Sequence, residues 1–282
     1  MGHLILPRSA GLAKPPEGAG VNWSHPLADR LLWAAAPGAG VSGDLIDGQS
    51  GTLLGTGTWG GQTTIGAALD SANSTNDGAY WPWTDRLASL TDTWTIAVWA
   101  DPASLAAGGY DHLLCIPYRA TGWTTPYLGL SFGRYGTTGQ LSAQYAESAT
   151  AWITRASTSV GITAADPLTL YLVTRKAATF RFFVDAYQLG ADVAGVTTAI
   201  DLSGKQPITL LNRSSTSVGE GLVGRSPLAA IWGRALSDDE VAWLAAEPFA
   251  FVQRPGGRLF VPAAAPPAGD TPFPYTGGGY YG

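Results

Sequence analysis

Apolar and polar positions alternate with a period of two through much of the middle of the chain, which puts successive side chains on opposite faces of a β-strand. In Thr93-Trp94-Thr95-Ile96-Ala97-Val98-Trp99-Ala100, Trp94, Ile96 and Val98 share one face, and Thr95, Ala97 and Trp99 share the other. Both faces carry large apolar groups, so this segment is predicted to be a central strand covered on two sides. Leu168–Thr174 and Thr179–Asp185 alternate in the same way around Arg175-Lys176-Ala177-Ala178, a polar connection of hairpin length. Further strands are predicted over 31–35, 110–117, 127–134, 139–146, 150–156, 207–212 and 226–233. About ten strands at this spacing imply a sandwich or barrel.

One segment has a helical signature instead. Ser237 precedes Glu240 by three residues, the spacing of a capping box in which hydroxyl and carboxylate each satisfy the other residue's amide. Asp238 and Asp239 fall in the first turn, where the helix dipole favours negative charge, and Val241, Trp243 and Leu244 supply an apolar stripe before Pro248. The acidic run Asp238-Asp239-Glu240 is therefore assigned to capping rather than to catalysis.

The ends read differently. Residues 1–22 are rich in Gly, Pro and Ala without any period, and residues 253–282 form a second biased tail containing Phe273, Tyr275, Tyr280 and Tyr281. Such segments cannot bury enough surface alone to offset their ordering entropy, so both are expected to be extended arms around one domain over 23–252. Abundant Gly (37) and Pro (19) with only 13% charged residues suit many short strands and tight turns. A formal net charge of −5, with Lys and Arg scattered singly, gives no basic stripe for nucleic acid. No apolar run approaches the ~20 residues of a membrane span, and no secretion signal is visible, so synthesis in a cytoplasm is expected. Cys115 stands alone, which excludes intrachain disulfides and predicts a buried small apolar residue.

Three segments together resemble the laminin-G-like, concanavalin A-like lectin jelly roll. They are Leu90–Pro102, the hairpin Tyr171–Thr174 with Phe182-Phe183-Val184-Asp185, and Ile231–Glu240 with Trp243-Leu244. Ala186 stands where that family usually has Gly after Tyr-Val-Asp. The resemblance implies an all-β antiparallel jelly-roll sandwich with one short C-terminal helix. Lys14–Ala28, together with Glu247–Pro255 and Arg258–Pro262, is similar to the segments flanking such domains in virion proteins of tailed bacteriophages and prophages. That second resemblance implies a virion structural protein, present in multiple copies or as a homo-oligomer and assembled in the bacterial host cytoplasm.

Asp70, Asn73, Asn76 and Asp77 offer hard oxygen donors for a candidate Ca²⁺ site, although a polar, turn-rich loop is the simpler reading. Trp81, Trp83, Trp123 and Tyr127 are candidate sugar platforms; their usual role is core or interface. No Glu-x-Asp-x-Glu spacing supplies the carboxylate pair of a retaining glycosidase, Ser131 in Gly129-Leu130-Ser131-Phe132-Gly133 reads as a strand serine, and Gly219–Gly224 reads as a glycine-rich loop. The expectation is thus a chain that is not an enzyme: a surface decoration protein of a virion, binding neighbouring capsid or tail subunits through Pro15, Pro16, Phe273, Tyr275, Tyr280 and Tyr281. The alternatives are a glycan-binding adsorption module and, more remotely, a glycoside hydrolase or lyase.

Overall fold

The computed structural model describes residues 19–253, apart from 39–41, 72–74, 106–108, 119–127, 149–150, 165 and 216–219. In chain order the strands are β1 (Gly20–Val21), β2 (Leu31–Ala35), β3 (Thr52–Leu54), β4 (Thr58–Thr63), β5 (Gly66–Asp70), β6 (Gly78–Trp81), β7 (Thr93–Ser104), β8 (Tyr110–Pro117) and β9 (Leu128–Tyr135). They continue with β10 (Gln140–Ser148), β11 (Ala151–Val160), β12 (Thr169–Lys176), β13 (Thr179–Val184), β14 (Tyr187–Gln188), β15 (Val193–Ala194), β16 (Ile208–Leu210), β17 (Val223–Trp232) and β18 (Val252–Gln253). The one α-helix among the described residues, α1, spans Asp238–Ala246.

The strands form an all-β antiparallel sandwich. One sheet has seven strands in the order β11-β10-β9-β8-β16-β6-β3, and the other has nine, β14-β13-β12-β7-β17-β5-β4 with β15 on β13 and β2 on β17. Alternation decides what each face buries. Trp94, Ile96 and Val98 of β7 enter the core between the sheets with Trp33, Trp81, Phe132, Tyr171 and Phe182. Ala97 and Trp99 face a second core, where Leu172, Phe183 and Trp232 pack under Val241 and Leu244 of α1. The central position of β7 thus follows from its two apolar faces.

The helix is capped as its spacing predicts. The Glu240 amide donates to the Ser237 hydroxyl at 3.3 Å, and the Ser237 amide donates to the Glu240 carboxylate at 2.9 Å. The hairpin is tighter than expected: β12 runs through Lys176 to pair with Thr179, leaving a two-residue turn with Ala177 at φ 52. Arg175, read as part of a polar connection, is fully buried, with its guanidinium 4.4 Å from the Tyr145 ring centre.

The flanks close the body. Gly20 pairs with Gln253 and Val21 with Val252, so the last residues of the expected N-terminal arm form a two-stranded ribbon with the start of the C-terminal tail. Beside it the Trp232 indole donates to the Leu27 carbonyl at 2.6 Å, and the Trp232 and Phe251 rings meet edge to face.

Candidate functional site

Four loops meet on one surface and present aromatic rings beside ion pairs. The first follows β1: Asn22-Trp23-Ser24-His25 turns sharply, with the His25 amide donating to the Asn22 carbonyl at 2.9 Å. His25 is extended (φ −78, ψ 136) before Pro26, and its Nδ1 accepts the Leu27 amide. Burial lowers its pKa, against an opposing pull from Glu247. The turn leaves Trp23 56% exposed, although a large aromatic ring gains most by burial.

The second loop is organised by Asp44, whose buried carboxylate accepts the amides of Ile46, Asp47 and Gln49 at 2.7–2.9 Å. Asp47 is thereby held toward the third loop, where Thr84 caps a 3-10 turn over Asp85–Ser89. The Thr84 hydroxyl donates to Asp47 at 3.0 Å and the Arg86 Nε at 3.1 Å. The Arg86 guanidinium in turn lies 5.9 Å from the Trp23 ring centre, a cation–π contact. Alongside, the Trp83 indole and the Lys205 ammonium of the fourth loop each donate to Asp85 at 3.1 Å. Those two donors, Lys205 foremost, hold the Asp85 carboxyl below its usual range. A flat apolar face beside fixed carboxylates and cations suits a ring that is apolar on one side and hydroxylated at its rim.

A second polar group sits on the face of the seven-stranded sheet turned away from the core. The His112 Nδ1 lies 2.6 Å from the Ser131 hydroxyl, the His112 Nε2 lies 3.6 Å from Glu220, and Arg213 reaches the same Glu220 oxygen at 2.7 Å. Burial pushes the Glu220 pKa up, but His112 and Arg213 outweigh it and bring it below the ordinary value. Ser131 lies within β9 and is only 2% exposed, so its hydroxyl serves the hydrogen-bond network. Neighbouring Cys115 is buried as expected, and its burial pushes the thiol pKa up to about 12, which keeps it protonated.

A laminin-G-type family model, described as the concanavalin A-like lectin/glucanases superfamily, matches residues 73–242, more than half of the chain. The chain belongs to this superfamily. No curated protein sequence matches it. Among solved structures this concanavalin A-like chain is similar to domain 4 of AbnA, a GH43 extracellular arabinanase from Geobacillus stearothermophilus in complex with arabinotriose. The TM-score is 0.56 at 12% identity, over 77% of this chain and 98% of that one. It is also similar to a Trypanosoma rangeli sialidase in complex with sialic acid (TM-score 0.52, 14% identity, 77% of this chain) and to a mutant of that sialidase displaying trans-sialidase activity (TM-score 0.54, 13% identity, 86% of this chain). It spans 33% and 37% of the length of those two sialidase chains.

These likenesses correct one expectation. The missing carboxylate spacing pointed to a chain that is not an enzyme, yet the concanavalin A-like fold is shared with glycoside-hydrolase chains. The physical reason is that two carboxylates on opposite sides of a bond can come from strands or loops far apart in sequence, which no local spacing reveals.

Of the site residues read from the sequence, five lie among the described residues, and the concanavalin A-like sandwich places them against different neighbours. Trp81 is fully buried, its indole donating to the Ser42 carbonyl at 2.6 Å, so it presents no face to a sugar. Trp83 does lie in the loop surface. Trp123 and Tyr127 lie outside the described residues, as do Asn73, Pro15, Pro16, Phe273, Tyr275, Tyr280 and Tyr281. The Ca²⁺ donors point to different neighbours: Asp70 faces Arg225 at 3.3 Å, Asp77 accepts the Thr56 amide at 2.7 Å, and Asn76 is exposed. Both carboxylates are thus engaged by protein groups, and among the described residues no cluster of three or more His, Cys, Asp or Glu is placed to hold a metal. Trp23, Arg86 and Asp47 were missed. Only the bulk of Trp23 within a polar turn hinted at them.

Proposed function

We propose that this protein is a carbohydrate-recognition module, with Trp23, Arg86 and Asp47 at the centre of its glycan-binding surface. The observation that carries the reading is Trp23 itself, 56% exposed beside an Arg86–Asp47 pair that secondary-structure capping holds in place. The indole supplies the stacking face and the ion pair supplies donors and acceptors for hydroxyls. The fold shared with a sialidase in complex with sialic acid and with an arabinanase domain in complex with arabinotriose supports it. On a glycan array, saturable binding to a bacterial-surface polysaccharide is expected. Trp23→Ala should weaken it about thirtyfold, the scale of a hot-spot aromatic, without lowering the thermal midpoint. Binding that survives the substitution undiminished would defeat this assignment.

We infer a second, compatible reading from the likeness of the flanking segments to those of virion proteins, in which the module is displayed on a bacteriophage virion. Both tails leave the body from one ribbon, so a particle holding them would have the sandwich tethered at a single pole. Mixed with particles lacking it, the full-length chain is expected to co-sediment, whereas a chain trimmed to residues 19–253 should stay in the supernatant. Equal co-sedimentation of both forms would exclude tethering by the tails.

A further inference from the structure

The outer face of the β12–β13 hairpin changes character along its length. Leu172 and Phe183 lie under α1 in the second core, but the rows they begin continue past the helix as Thr174 and Lys176 on β12 and Arg181 and Thr179 on β13. Alternation puts each of these on the same side as its apolar predecessor. Between them and the turn leading into α1 lies a cavity of about 410 Å³, lined also by Asp192, Leu236, Ser237 and Glu240. That volume falls within the range of small-molecule sites.

The acidic groups of this cavity and Arg181 are engaged with one another or with neighbouring groups, while Thr174, Lys176 and Thr179 are not. Glu240 takes both guanidinium nitrogens of Arg234 and the Ser237 amide. Asp238, beside the cavity, is bound by Arg181, and Asp192 receives the Gln188 amide at 2.8 Å and lies 3.4 Å from the Arg181 Nε. By contrast, the side chains of Thr174, Lys176 and Thr179 make no hydrogen bond or ion pair within the described structure, although Thr174 is only 4% exposed. The Thr174 hydroxyl is not among the fully buried atoms that lack a partner, and Thr174 lines the cavity, so its hydroxyl can donate to a ligand there. Each carboxylate here has a cationic partner or an amide donor, whereas the exposed Lys176 ammonium has no acceptor or anion among the described residues.

We propose that this cavity binds a small carboxylate-bearing ligand about the size of one sugar ring. Lys176 receives the carboxylate, and the hydroxyls of Thr174 and Thr179 donate to its oxygens or to a neighbouring ring hydroxyl. The site is separate from the Trp23 surface and stands whether or not that surface binds glycan.

The test is an NMR titration of the full-length chain with sodium glucuronate, glucose and sodium acetate. Glucuronate should shift the resonances of Thr174, Lys176 and Thr179 saturably, and glucose should bind at least about tenfold more weakly, the factor expected for losing a charge-assisted hydrogen bond. Lys176→Gln and Thr174→Val should each weaken glucuronate by a similar factor with the thermal midpoint unchanged, and Trp23→Ala should leave it intact. Acetate matching glucuronate would identify a free carboxylate, rather than an acidic sugar, as the ligand of the same site. No saturable shift with either carboxylate would overturn the proposal, as would a response lost in Trp23→Ala but kept in Lys176→Gln.

Discussion

Trp81→Ala is expected to lower the unfolding free energy by about 3–5 kcal/mol, read as a shifted midpoint in urea denaturation. β6 is flanked by β16 and β3, and Trp81 projects from it into the space between the sheets, fully buried. Its ring meets Trp33 edge to face at 5.5 Å and Trp59 at 5.9 Å, and Gly51 lies so close that a Cβ there would sit 2.6 Å from the indole. Truncation would open a cavity among rigid neighbours and remove the indole's hydrogen bond to the Ser42 carbonyl, which would keep only the Gly51 amide at 2.8 Å. Trp81→Phe keeps most of the volume and should cost less than half as much. An alanine variant as stable as the parent would mean that Trp81 does not occupy the core.

The ion pair of Asp111 with Arg134 carries the second large effect. Both side chains are almost completely buried, on adjacent strands β8 and β9 at paired positions. Removing either partner alone strands a charge in a medium of low dielectric, so Asp111→Leu or Arg134→Leu should each cost about 3–5 kcal/mol. Replacing both by leucine removes the pair and its desolvation penalty together. The double variant is therefore expected to be closer to the parent than either single variant, as a double-mutant cycle in urea would show. Additive losses would contradict a direct interaction between the two.

What could be read from the sequence follows from the range of the interactions involved. The two faces of β7, the capped start of α1 and the burial of Cys115 depend on neighbours a few residues away, and alternation and capping rules reach that far. β3 to β6 escaped notice because they are short and interrupted by Gly55, Gly57, Gly60, Gly61 and Gly66, which blur the period of two. Trp81 was read as a sugar platform because periodicity gives a side chain's face but not its depth. Asp77 was read as a candidate metal donor from its own loop, and its contact with the Thr56 amide, from the turn after β3, lies beyond the reach of any local pattern. Trp23, Arg86 and Asp47 come from three loops, and no local pattern connects them. The partners of Glu220 illustrate the same limit: His112 and Arg213 reach it from β8 and from the segment after β16.

The glycan-binding surface, the central claim of this account, has a direct spectroscopic test. Tryptophan indole N–H resonances of the full-length chain, assigned by single substitutions, would be followed during titration with a polysaccharide that the chain binds. The Trp23 resonance is expected to shift most and Trp83 next, while those of Trp33, Trp94 and Trp232, buried in the two cores, hold still. A titration that saturates with Trp23 unmoved would contradict the claim.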